Sequence, residues 1–322
     1  MLHPLITTFS RLVLDGGSLT EEQGILLAGL DSEHTTGLLF AANAITRAMG
    51  HSPFACSITS AKSGTCSQDC TFCAQSGRYD TGSPAHPLLP LEELIARGLA
   101  MHQAGAKCYS LVTSGLRLSS AEIDRICLCA MKLKSLTNLE LSASLGLLSE
   151  DYASRLKQAG LTRYHHNLET ARSHFPSICT THSYDEDIAT VRLAREHGLS
   201  ICCGGILGLG ETWAQRVELA ATLAELEVDT VPLNFLSPIP GTPLQDSPLL
   251  SPHDALKSVA LFRFMLPRAS ITIAGGRERI LGDYQSWLPL AGANGMMIGN
   301  YLTTRGRNLD ADLRMLEQGR WI

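Results

Sequence analysis

The chain has 322 residues, with 26 Lys plus Arg against 31 Asp plus Glu, a net charge of −5, and 44% hydrophobic against 18% charged residues. That balance excludes intrinsic disorder, which needs low hydrophobicity and high charge, and it lacks the basic excess of a nucleic-acid-binding surface. No apolar run reaches the roughly 18 residues of a membrane span. Met1-Leu2-His3-Pro4-Leu5 has no basic segment leading into a long apolar stretch, so no signal peptide is expected. The expected compartment is the cytoplasm, where disulfides are rare. Ten cysteines in that setting point to metal, cluster or redox chemistry.

In chain order, residues 1–50 read as a helical lead-in: Thr20-Glu21-Glu22-Gln23 is a helix start, and Leu38 to Met49 is apolar at helical spacing. Eight strand-like runs follow: Ala55–Ser60, Lys107–Thr113, Asn138–Ser144, Arg163–Leu168, Ser200–Leu207, Thr230–Leu236, Ser270–Ala274 and Gly295–Gly299. Helix-like stretches separate most of them, at Leu91–Ala104, Ser120–Lys134, Glu150–Ala159, Tyr184–His197, Trp213–Glu227 and Pro252–Leu266. Gly105, Gly160 and Gly198 stand where left-handed helix caps are expected. Apolar strands alternating with helices imply a parallel sheet, and eight such units predict a (β/α)8 TIM-type barrel. It forms a single domain over residues 51–322 behind the lead-in. An open doubly wound sheet is the alternative, although no Gly-x-Gly-x-x-Gly follows the first strand. Barrel chemistry sits at the C-terminal ends of the strands, and the long stretch from Ser60 to Leu91 lies there. A loop of that length is usually functional.

That loop carries Cys66-Ser67-Gln68-Asp69-Cys70-Thr71-Phe72-Cys73, a C-x3-C-x2-C spacing. Three local thiolates suit one face of an iron–sulfur cube, which usually takes four ligands. One iron is then open to substrate or cofactor. A structural zinc site and a chance cluster of free thiols are the other readings, but zinc commonly joins two distant pairs of ligands.

The triplet resembles the signature of the radical S-adenosylmethionine superfamily. Further segments are similar to the biotin synthases within it: Ser60-Ala61-Lys62-Ser63-Gly64, Phe72 through Tyr79, His166 to Thr170, Gly204-Gly205-Ile206, Gly208 to Thr212, Asn234, Gly241 to Leu244, Ala274 to Glu278, and Ala291 to Asn294. The resemblance covers residues 30–315. It implies that Cys66, Cys70 and Cys73 hold a [4Fe–4S] cluster and that S-adenosylmethionine chelates its fourth iron. One electron then yields a 5′-deoxyadenosyl radical. It implies that Phe72 packs on adenine, that Asn167 and Glu169 meet the ribose, and that Gly208 and Gly210 pass beside the methionyl part. Asn167 and Asn234 would bound the ureido group of dethiobiotin. The bland readings are core packing for Phe72, a satisfied turn or cap for each Asn, and a bulge for the glycines. The implied partners are dethiobiotin, an electron donor such as flavodoxin or ferredoxin, and a second copy of the chain in a homodimer. Neither nucleic acid nor membrane is implied.

The chain departs from the common family pattern at a second, [2Fe–2S] cluster. Its four ligand positions fall on Ser110, Ser142, Cys202 and Thr272, and only one is a thiol. The cysteines at Cys56, Cys179 and Cys202 make the chain similar to a second group of biotin synthases found among anaerobes, and that resemblance implies that these three ligate a different auxiliary cluster, a four-iron cube with an extra sulfide that is donated to the substrate. Cys108, Cys127, Cys129 and Cys203 rank lower; Cys127 and Cys129 read as buried small residues, and only one of Cys202 and Cys203 faces the barrel centre. Asp187 stands where the family often has a basic residue, so Arg192, Arg277 or Lys62 would have to meet the cofactor carboxylate. The resulting function is sulfur insertion into dethiobiotin. The alternatives are a related barrel enzyme without sulfur insertion and a non-enzymatic iron–sulfur carrier.

Overall fold

A computed structural model describes residues 2–303 and 306–319, so the expected barrel boundary at 322 lies outside the described residues. Its strands are β1 (Phe54–Lys62), β2 (Cys108–Thr113), β3 (Glu140–Ser144), β4 (Arg163–His165), β5 (Ser200–Cys202), β6 (Gly205–Leu207), β7 (Thr230–Phe235), β8 (Ser270–Ile273) and β9 (Gly295–Met297). All pair in parallel in the order β5-β4-β3-β2-β1-β9-β8-β7-β6, and a β5–β7 contact closes the ring. β5 and β6 are two halves of the fifth expected strand, so the architecture is the eight-stranded barrel and not the open sheet. The break falls at Gly204-Gly205, where two backbones crowd in. A Cβ on Gly204 would meet the Pro232 carbonyl oxygen at 2.0 Å, and one on Gly205 would meet that of Glu169 at 2.4 Å. Only glycine admits so close an approach.

The helices are α1 (Pro4–Leu14), α2 (Glu21–Ala28), α3 (Thr35–Ala48), α4 (Leu91–Gln103), α5 (Ser120–Leu136), α6 (Glu150–Gln158), α7 (Tyr184–Glu196), α8 (Trp213–Glu225), α9 (Pro252–Met265), α10 (Arg277–Leu281) and α11 (Leu309–Gln318). Reciprocal side-chain caps open four of them, at Thr20/Gln23, Ser119/Glu122, Ser183/Glu186 and Thr212/Gln215. Each satisfies two otherwise unpaired backbone donors. Gly105, Gly160 and Gly198 take positive φ as expected. The lead-in helices share one core with the barrel helices. Lys257 of α9 donates to the carbonyls of Ala28 and Leu30 at 2.8 and 2.6 Å, and Asn43 donates to that of Pro289. Among the described residues, no helix is long and apolar enough to cross a membrane.

Two of the family-like motifs prove to be structural. Asn294 Oδ1 accepts from Arg263 at 3.0 Å and from the Ile271 backbone at 2.8 Å, tying α9 to β8. Arg277, fully buried, pairs with the fully buried Asp312 of α11 at 2.6 Å. A filled barrel packs its inward residues. In β1 the inward set Phe54, Cys56, Ile58, Ser60 and Lys62 is half-exposed, while the alternate residues are buried under the helices. The barrel therefore encloses a chamber, of about 430 Å³.

Candidate active site

The long loop after β1 turns its cysteines back over the chamber. Thr65 adopts a left-handed φ of 52° directly before Cys66. Backbone bonds from Cys66 to the Gln75 carbonyl at 3.1 Å, from Gly77 to the Cys66 carbonyl at 2.7 Å, and from Cys73 to the Cys70 carbonyl at 2.9 Å fold the segment on itself. Cys66 and Cys73 line the chamber. Cys70 lies just behind, where the neighbouring Cys179 thiol, burial and the Cys73 charge push its own thiol up. All three thiols are free and half-buried. Burial raises the Cys73 thiol to about 11. Among the described residues, no three His, Cys, Asp or Glu side chains close on a single metal ion. A four-iron cube is larger than one ion and takes its thiols at wider spacing, so free thiols grouped at a chamber mouth fit it as donors.

Phe72 lines the same mouth and packs beside Ile178, Leu209, Leu236, Ile206 and Leu244, an apolar slot open on one side. Asn167 and Glu169 follow β4. Asn167 Oδ1 accepts from the Gly204 backbone at 3.1 Å and its amide donates to Glu169 at 3.3 Å. Asn234 Oδ1 accepts from Gly275 at 2.9 Å, and its amide donates to the Gly205 carbonyl at 3.3 Å. Both amides are thus held by backbone, each with one N–H left for a ligand. Glu169 has a left-handed φ of 63°, a strained conformation of the kind that clusters at functional sites. Burial, and then the neighbouring Asp187 charge, push its carboxyl up to about 8. Gly208 does not line the chamber; its N–H donates to Glu211, which is paired with Arg216 at 2.7 Å. Gly210 has a left-handed φ of 94° and open space at its Cβ position.

The structure does not bring the three expected auxiliary ligands to one place. Cys56 and Cys202 do line the chamber, but Cys179 does not. Cys179 follows a single helical turn at Phe175–Ser177 and is buried against the cysteine loop, where the Thr71 N–H donates to the Ile178 carbonyl at 2.9 Å. There its thiol lies 3.3 Å from Asp69 Oδ1 and 3.1 Å from His182 Nδ1. The Cys70 hydrogen bond, aided by His182, pulls the Cys179 thiol down to about 4 despite burial. The thiol that joins Cys56 is Cys108, its register partner on β2, and in the structure the two form a disulfide with Cα atoms 4.8 Å apart. Reduction of that bond would leave two free thiols on the chamber wall. Cys108, ranked lower from the sequence, lies two residues from the inward Ser110 and therefore on the same face. His165, two residues before Asn167, was missed. Its Nδ1 is 3.2 Å from Cys202 Sγ, and burial lowers its imidazole to about 4. Cys203 is buried on the outward side and Cys129 is fully buried, as expected, while Cys127 is half-buried.

The three cations expected near the cofactor carboxylate are elsewhere. Lys62 pairs with Glu122 at 2.7 Å, Arg277 is locked on Asp312, and Arg192 is exposed. Asp187 is buried between two imidazoles, 2.8 Å from His166 and 3.4 Å from His182. Asp187, and then Cys179, raise His182 to about 10. His182 also meets Gln68 of the cysteine loop at 3.0 Å. A larger, more open groove of about 650 Å³ beside Glu278, Arg307 and Arg314 holds none of the expected site residues.

Comparison with known proteins agrees with this geometry. The Radical SAM superfamily profile matches residues 61–223, and that of the Biotin and Thiamin Synthesis associated domain matches residues 232–320. A biotin synthase of Nitratidesulfovibrio vulgaris is 53% identical over 299 residues, covering 92% of this chain and 83% of that relative. One of Geobacter metallireducens is 48% identical over 317 residues, covering 98% and 96%. Among solved structures, methylornithine synthase (PylB) superposes with a TM-score of 0.82 at 20% identity, covering 96% of this chain and 95% of that one. The [FeFe]-hydrogenase maturase HydG superposes with a TM-score of 0.83 at 16% identity, covering 98% and 74%; these two likenesses concern the fold. The chain belongs to the biotin synthase family of the radical SAM superfamily.

Proposed function

We propose that this enzyme inserts sulfur into dethiobiotin inside the barrel, with the cysteine loop at the mouth and the sulfur source on the floor. The observation that carries the reading is the chamber of about 430 Å³ onto which Cys66, Cys73, Asn167, Asn234, Cys56, Cys108 and Cys202 all open. Cys66, Cys70 and Cys73 would hold the [4Fe–4S] cluster, which with S-adenosylmethionine supplies a 5′-deoxyadenosyl radical. Phe72 and its apolar neighbours take the adenine, and Glu169 meets the ribose. His182 serves the cofactor carboxylate in place of the usual basic residue, held charged by Asp187. The free amide N–H groups of Asn167 and Asn234 hold the ureido carbonyl of dethiobiotin. Enclosure keeps water from a reactive carbon centre, a recognised role of closed sites.

Cys56, Cys108 and Cys202 would hold the auxiliary cluster that donates the sulfur. Three thiols suit a four-iron cube with an extra sulfide better than a [2Fe–2S] unit, because Ser110, Ser142 and Thr272 place hydroxyls, poor iron ligands, at the remaining floor positions. A flavodoxin or ferredoxin supplies the electron, and the reducing cytoplasm keeps Cys56 and Cys108 open. Anaerobic incubation of the iron-loaded enzyme with reductant, S-adenosylmethionine and dethiobiotin tests the reading. The expected products are biotin and 5′-deoxyadenosine. Deoxyadenosine without biotin would instead identify a barrel enzyme that does not insert sulfur.

A further inference from the structure

The floor of the chamber carries polar groups that the reading above leaves without work. Arg163 and His165 are two residues apart on β4, so both point inward on either side of Tyr164, which faces the helices and is 1% exposed. His165 Nδ1 is 3.2 Å from Cys202 Sγ, across the β4–β5 register. Arg163 donates one Nη2 bond at 3.2 Å to Glu140, an exposed carboxylate at the start of β3. Its Nε is buried and has no partner, and neither have Ser110 Oγ nor Thr272 Oγ1. A buried donor left unpaired is costly, so unpaired donors lining one chamber mark the seat of an absent acceptor. Among the described residues that line the chamber, Arg163 is the one cation, and the one carboxylate, Glu169, stands at the mouth. The floor is thus a donor-rich cradle with thiols in it, its guanidinium partnered on one side by Glu140. An iron–sulfur cluster is an anionic group whose sulfurs accept hydrogen bonds, and those bonds, with local charge, set its potential.

We propose that Arg163 and His165 are the positioning pair of the sulfur-donating cluster, Arg163 Nε–H and the His165 imidazole hydrogen-bonding its sulfurs from β4. This rests on the reading that a second cluster occupies the floor. The pair makes the cluster easier to reduce and presses it against the β4–β5 side of the barrel. Removing the guanidinium charge therefore moves the potential negative, and removing the imidazole removes a nitrogen close to the iron.

The experiment uses the full chain, loaded anaerobically, with Cys66, Cys70 and Cys73 all changed to Ala so that only the second cluster remains. Its midpoint potential and pulsed-EPR nitrogen couplings are read for this parent and for Arg163→Gln, Arg163→Lys and His165→Asn in the same background. Arg163→Gln is expected to keep its iron and shift the reduction equilibrium at least tenfold, about 59 mV negative for one electron. Arg163→Lys keeps the charge and restores most of that shift, which separates the charge from any folding defect. His165→Asn loses an imidazole nitrogen coupling present in the parent. An unmoved potential and unchanged couplings with full iron overturn the proposal. So does a raised KM for dethiobiotin in the intact-triplet Arg163→Gln enzyme with the cluster potential unmoved, which would assign the guanidinium to the substrate carboxylate. A parent that binds no iron at all sinks the underlying second-cluster reading instead, a distinct result.

Discussion

The molecule gathers sulfur in two regions, and it builds them by different means. In the mouth loop, Cys66, Cys70 and Cys73 belong to one eight-residue segment that folds on its own backbone bonds. On the chamber floor, Cys56, Cys108 and Cys202 come from three strands, and only parallel register brings the first two together over 52 residues. Local spacing specifies the first region almost completely. The second exists only once the barrel closes, so residue spacing says little about its membership. Cys179 shows the difference. It follows one turn of helix at Phe175–Ser177 and lies buried beside Asp69 and His182, off the chamber wall.

Substitutions that act on one region and spare the other break or sharpen this comparison. The largest effect is expected for Cys66→Ala: deoxyadenosine formation falls below detection while iron at the floor is retained. Cleavage of S-adenosylmethionine by that variant would mean that the two regions are not functionally separate. Next, Cys202→Ala should still cleave S-adenosylmethionine but make no biotin, whereas Cys179→Ala keeps the iron content of both regions. Floor iron lost from Cys179→Ala, measured by iron and sulfide analysis, would put Cys179 back among the ligands against its position here.

A smaller effect is expected where the floor depends on close backbone packing. Gly204→Ala places a Cβ 2.0 Å from the Pro232 carbonyl oxygen, and overpacking of this kind costs about 1–3 kcal/mol. The midpoint of urea unfolding should fall accordingly, and a stability equal to the parent's would show that the β5–β6 break is pliable. The smallest effect concerns Glu169, at the mouth. Its carboxyl titrates at about 8 in the folded chain against a reference of 4.5. The folded state therefore holds the proton more tightly. The stabilising contribution is complete below 4.5 and is lost as pH rises towards 8. In cluster-free protein, Glu169→Gln should flatten the fall of Tm across that window, and a slope identical to the parent's would remove the buried-acid assignment.

Much of the fold was readable in advance. The eight strand runs, the six helices between them, the cap at Thr20 and the glycine stops all stand within a few residues of expectation, because apolar period and cap chemistry act over short stretches. The split of the fifth strand was not readable, since it follows from the Pro232 and Glu169 carbonyls pressing on Gly204 and Gly205. The same division runs through the site. Asn167, Asn234 and Phe72 were found by motif and do line the chamber. Gly208 was singled out too, but its N–H serves Glu211 and it stays off the chamber wall. The cation near the cofactor carboxylate was sought among arginines and a lysine, and all three are engaged or exposed elsewhere. His182 is available for that proposed role only because folding sets the buried Asp187 against it.

The sequence by itself determined the barrel, the cysteine loop and the family, since each depends on residues close together in the chain or on a repeated local pattern. Tertiary structure alone decided which distant thiols meet, which charges survive burial and where unpaired donors collect. Those outcomes depend on strand register and on the low dielectric of a closed chamber, and neither exists until the ring of strands is complete.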